Sequence, residues 1–181
     1  VMAPREYANI ANACFLDSAV TIKGEGLREV SGLDHLEGQT VSLIADGAAC
    51  SPRRVTAGKI TLDDEVATVT VGLSFESLLV TMPIEMDLQN GSSQLRKKSV
   101  GELRLRVYDS VGGEVCCGRW QIIVSRDVME DNLDEAVTPK TAPYTFNLLS
   151  GYESECSVKL RQTDPLPFNV SSLVVNIAVE N

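Results

Sequence analysis

The chain has 181 residues, 44% of them hydrophobic and 23% charged, and its 25 acidic against 16 basic side chains leave a formal net charge of −9. That composition fits one large globular domain or two small ones and argues against wholesale disorder. No apolar run reaches the roughly 18 residues of a membrane-crossing helix, so no membrane insertion is expected; the acidic balance argues against tight binding of nucleic-acid phosphates, and the single histidine excludes any metal site built on two.

No charged segment followed by an apolar run opens the chain, so no signal peptide is expected in it. Residues 5–12 form a weak helix candidate. The segment Phe15–Ile22 reads as a strand, Gly24-Glu25-Gly26 as a turn, and a boundary is expected near Val30-Ser31-Gly32. Val41, Leu43 and Ala45 then alternate with Thr40, Ser42 and Ile44 and stop at Asp46-Gly47, a turn signal. After Ala57-Gly58, Ile60 and Leu62 alternate with Lys59, Thr61 and Asp63, and Ala67, Val69, Val71 and Leu73 make one face of a further run.

Turn chemistry returns at Asn90-Gly91. Leu103, Leu105 and Val107 oppose Glu102, Arg104, Arg106 and Tyr108, the clearest half-buried strand in the chain. Gly112-Gly113 reads as a hairpin turn, and Trp120 opens an apolar strand in which a lone Trp is expected to serve the core. Residues 127–143 are acidic and carry Pro139 and Pro143, which suggests a long surface loop; a helical turn or two around 129–136 would end at Thr138-Pro139. After Ser150-Gly151, Val158 and Leu160 alternate with Lys159 and Arg161, and Leu173, Val175, Ile177 and Val179 with Val174, Asn176, Ala178 and Glu180. Strands recur throughout, no segment has a convincing helical period, and the expected class is all-β.

The chemistry-bearing residues point to no reaction. His35, between Gly32 and Gly38, has no second histidine or cysteine at ligand spacing and is expected to pack in a tight turn. No Gly-x-Ser-x-Gly elbow presents a serine. The carboxylates Asp34, Glu37, Asp46, Asp63, Asp64, Glu65, Glu76, Glu85 and Asp87 include pairs that would flank a glycosidic bond only at the right separation, and surface positions are their default. Asp109–Gly113 lacks the spacing of a phosphate-binding loop. Arg96, Lys97, Lys98, Arg104 and Arg106 form the one basic concentration and read as a solvated face or as partners for acidic groups on a neighbouring subunit. Cys14, Cys50, Cys116, Cys117 and Cys156 are odd in number and lack a Cys-x-x-Cys pair, so reduced, partly buried thiols are expected. No catalytic residue, cofactor or metal ligand is assigned.

Six stretches carry a resemblance. They are Gly32–Val41 (GLDHLEGQTV), Ala45-Asp46-Gly47, Gly58–Leu62 (GKITL), Val69–Phe75 (VTVGLSF), Leu79–Glu85 (LVTMPIE) and Gln162–Phe168 (QTDPLPF). Each is short, but their order and spacing, from about Asn12 to Val179, resemble a structural protein of bacteriophage tails and prophages: the hub or nozzle component of the tail tube in short-tailed phages. The close departs from the family, whose Pro-Glu-Val-Glu-like ending is replaced here by Val174–Asn181.

The resemblance implies a non-catalytic virion protein made in a bacterial host, assembled with itself into a ring, commonly a hexamer, and in contact with other tail proteins. It also implies that this segment is the β-rich middle-to-C-terminal part of a longer polypeptide, which a first residue of Val1 fits. An acidic channel wall would let DNA pass without gripping it.

The expected architecture is a β-sandwich from residues 1–30 and 75–181, with the strand near Phe15–Ile22 pairing with strands after Leu78, and a small barrel-like β-module from residues 31–74. The alternatives are a carbohydrate- or receptor-binding β-sandwich module of a virion or cell surface, which needs exposed aromatics along a groove, and a glycan hydrolase using paired carboxylates.

Overall fold

The structure is a computed structural model, and it describes residues 15–89, 91–94, 96–124, 137–147 and 151–180. It is all-β: thirteen strands and one short 3-10 turn among the described residues. The chain divides into two compact units, one comprising Val1–Glu76, Arg126–Pro139 and Thr163–Pro167, the other Ser77–Ser125, Lys140–Gln162 and Phe168–Asn181.

In the first unit, β1 (Asp17–Ser31), β2 (Thr40–Ala45), β3 (Ala48–Arg54) and β4 (Lys59–Leu73) form one antiparallel sheet in the order β1-β4-β2-β3. Two-residue turns set its register. Asp46 and Gly47 both have positive φ (46° and 86°) and join β2 to β3, while Ala57 and Gly58 (54° and 66°) lead into β4, the pattern of a turn whose twist matches the flanking strands.

β1 pairs along the whole of β4, with Val20 opposite Val71, Ile22 opposite Val69 and Val30 opposite Ile60. This corrects the expected pairing of 15–22 with strands after Leu78, and residues 17–31 join the first unit. The reason is register: β1 offers apolar side chains where β4 offers its own, and a buried face fixes register strongly. The Gly24-Glu25-Gly26 stretch is likewise not a turn. It is an irregularity inside β1, between the pairs Lys23–Thr68 and Leu27–Val66; Leu62–Glu65 make a second on β4, between Leu27–Val66 and Glu29–Thr61. The two apolar runs expected at 59–63 and 67–73 are therefore one strand, bent by its bulge. Val30, Leu33, Leu36, Val41, Leu43, Val55, Ile60, Leu62, Val69 and Val71 are buried together as the core.

The second unit is a two-sheet sandwich. One sheet orders β10 (Trp120–Val124), β9 (Gly112–Cys116), β12 (Lys159–Gln162) and β5 (Ser77–Val80); the other orders β11 (Lys140–Asn147), β8 (Lys98–Ser110) and β13 (Val170–Val179). A small hairpin, β6 (Asp87–Leu88) and β7 (Gly91–Ser92), lies between β5 and β8 in the chain. The two sheets face one core, to which β8 contributes Val100, Leu103, Leu105 and Val107, β9 Val115, β10 Ile123 and Val124, and β12 with its lead-in Cys156, Val158 and Leu160. The alternation read at 102–108 holds residue by residue.

Two readings change here. Asp109–Gly113 is not a hairpin turn, because β8 and β9 belong to different sheets; it is the corner where the chain crosses the sandwich, with positive φ at Asp109 (41°), Gly112 (71°) and Gly113 (78°). A Cβ on Gly113 would clash with the Phe168 ring, so only glycine fits there. The end of the expected 127–143 loop is strand, since β11 begins at Lys140 and holds Pro143 on a sheet edge. Residues 125–136, and with them the helix candidate at 129–136, lie outside the described residues, as do residues 1–14 and the candidate at 5–12.

Candidate functional site

The singled-out polar residues are mostly occupied in holding turns and strands. His35 sits in the 3-10 turn Asp34–Leu36, with Nε2 3.1 Å from the Ser18 carbonyl oxygen. Glu37 accepts hydrogen bonds from the backbone N–H of Ala57 (3.0 Å) and Gly58 (2.6 Å), and Asp46 accepts from those of Ala67 (3.0 Å) and Thr68 (2.7 Å). Both carboxylates clamp a turn against its neighbouring segment. Arg53 is hydrogen-bonded to Asp63, and Arg28 Nε to Glu65 Oε1 at 3.0 Å. Lys59 meets Glu29 at 2.6 Å, and that hydrogen bond raises the Lys59 pKa. Among the described residues, no group of three or more His, Cys, Asp or Glu is placed to hold a metal ion.

The basic concentration splits. Arg104 and Arg106 lie on the exposed face of β8, with Arg104 Nε 2.5 Å from Glu102 Oε1. Lys98 is fully buried, against the expectation of a solvated face. Its Nζ donates to Glu85 Oε1 (2.8 Å) and to the Ser93 carbonyl (3.1 Å), while Ser93 Oγ donates to Glu85 Oε2 (2.9 Å). A buried ammonium is tolerable only when paired and hydrogen-bonded. The Lys98 hydrogen bond holds the Glu85 carboxyl below its ordinary range.

Cys50, Cys116, Cys117 and Cys156 form no disulfide with one another, and burial pushes the pKa of Cys50 and Cys156 up. Trp120 is not a core residue. It is half-buried, and the Arg161 guanidinium lies 4.1 Å from its ring centroid. Arg161 in turn is hydrogen-bonded to Glu114 on β9.

The feature that sequence reasoning missed is the open side of the sandwich. β5 is Ser77-Leu78-Leu79-Val80, exposed at every residue, at one edge of its sheet. Leu79 pairs with Leu160, which is 5% exposed and in the core, so the two side chains share the inner face; yet Leu79 is 54% exposed. Beside it a groove of about 730 Å³ is lined by Leu78, Leu79, Leu160, Phe168, Val170 and Leu173, with Ser77 and Thr81. The apolar interior thus runs out to β5 with nothing laid over it among the described residues. A run of four residues with leucine on both faces gives no alternation to detect.

No protein-family model matches the chain, and no curated protein sequence matches it.

Proposed function

We propose that this chain is a structural subunit of a bacteriophage or prophage tail, of the hub or nozzle kind, that assembles into a ring forming part of the DNA conduit and performs no catalysis. The ordered motifs between Asn12 and Val179 motivate the reading, and the observation that carries it is the sandwich side left open at β5 among the described residues. A protein that works alone normally blunts such an edge with charge, proline or a bulge, because a bare edge recruits other chains. An apolar groove running out to an unblunted edge suits a subunit completed by neighbours. The net charge of −9 suits a passage through which DNA moves without being held.

Negative-stain electron microscopy of the concentrated chain tests this. Closed rings with a central opening are expected, together with no retention of duplex DNA in filter binding at about 0.1 M salt, where charges still act over about 10 Å. A chain that stays monomeric at every concentration overturns the proposal.

A further inference from the structure

Edge strands differ in how they are protected. In the first unit, β1 carries Asp17, Lys23, Glu25, Arg28 and Glu29, and β3 carries Pro52, Arg53 and Arg54. In the three-stranded sheet of the second unit, β13 is uncharged but β11 carries Lys140 and Pro143. Among the described residues, the β10-β9-β12-β5 sheet alone has two unlike edges that both lack charge and proline: Ser77-Leu78-Leu79-Val80 on one side and Trp120-Gln121-Ile122-Ile123-Val124 on the other.

Two rows of side chains cross the outer face of that sheet from edge to edge. One runs Leu78, Arg161, Glu114, Ile122; the other runs Val80, Lys159, Cys116, Trp120. The first has its ion pair in the middle and apolar groups at its ends, with Leu78 54% and Ile122 61% exposed. Every neighbouring pair in the sheet is antiparallel and the strands number four, so β5 and β10 run in opposite directions.

We infer that the sheet continues from one copy of this chain into the next, with β5 of one copy hydrogen-bonded antiparallel to β10 of its neighbour. The occupant of the open edge is then a second copy, and charge selects it. The chain carries −9, so copies repel over most of their surfaces, whereas these two edges meet with no charge from either strand to bury. An even number of antiparallel strands makes the junction antiparallel as well, so the alternation simply carries on. Leu78 and Val80 then lie against the neighbour's Ile122 and Trp120, apolar and aromatic cross-strand partners. Joining two unlike surfaces is a heterologous contact, which closes into a ring when the rotation allows. The inference rests on the ring reading and deepens it by naming the two surfaces that meet.

The test compares the native mass of the 181-residue chain with that of Leu78→Lys and Ile122→Lys, by light scattering on a sizing column with circular dichroism as the check on folding. Both side chains are more than half exposed, so the substitutions spare the core while placing lysine on an edge. The wild-type chain should give a discrete multiple of 19.6 kDa and each variant a single copy. Mixed one to one, the variants should form pairs of twice that mass and stop there, because each retains the edge the other lacks. Leu78→Lys dissociating while Ile122→Lys still assembles would mean that β5 meets β5, and would overturn the inference. A wild-type oligomer indifferent to both substitutions would overturn it and leave the ring reading standing. A wild-type monomer at every concentration would overturn both.

Discussion

Lys98 has no exposed surface, and its ammonium is tolerated because Glu85 and Ser93 supply it with a carboxylate and a carbonyl oxygen. The consequence for acid stability has a definite sign. Hydrogen bonding to Lys98 lowers the folded-state pKa of Glu85, helped by Ser93 and opposed by desolvation. A carboxyl of lowered pKa contributes stability that is complete above its unfolded value, about 4.3, and is lost as pH falls through the folded one. The melting temperature of the wild type should therefore fall more steeply below about pH 4.3 than that of Glu85→Gln, which lacks this titration. Parallel curves in a thermal-melt series would show that the pair adds nothing pH-dependent. The apolar neighbours give a larger and simpler effect. Leu105 is fully buried in the sandwich core, and Leu105→Ala should cost about 2–5 kcal/mol, read as a lower urea midpoint.

At the scale of the element, the corner between β8 and β9 decides how one chain feeds two sheets. Gly113 combines φ +78° with a Phe168 ring where a Cβ would go, so Gly113→Ala adds overpacking, about 1–3 kcal/mol, to the strain of a left-handed residue. Gly118→Ala is the control: its φ is +103° and a Cβ there meets nothing within 4 Å. Urea unfolding should place Gly113→Ala below Gly118→Ala in stability, and Phe168→Leu should recover part of the difference in the double variant. Equal losses would assign the whole effect to backbone strain.

The same elements show what a sequence displays. β8 was legible because Leu103, Leu105 and Val107 are buried while Arg104 and Arg106 are wet, so period two appears in the letters. Gly24-Glu25-Gly26 misleads because glycine serves a bulge as readily as a turn, and only the partner strand tells them apart. Lys98 misleads because its partners, Ser93 and Glu85, are not signalled by any spacing. β5, the strand that defines the open side, has leucine on both faces and so hides from a search for alternation.

For the whole molecule, charge and the uncharged edges pull against each other. Copies carrying −9 repel through water, while a β5–β10 junction contributes apolar burial and backbone hydrogen bonds that do not depend on ions. Salt screens the first and leaves the second, since the Debye length shortens from about 30 Å at 0.01 M to about 10 Å at 0.1 M. Association should therefore strengthen with salt: the concentration at half-assembly, followed by light scattering, should fall between those two ionic strengths. Contacts held by ion pairs between subunits, the role open to Arg104 and Arg106, would give the reverse trend. The direction of the salt dependence thus distinguishes a ring held by continuous sheet from one held by its charged faces, without knowledge of how many copies close it.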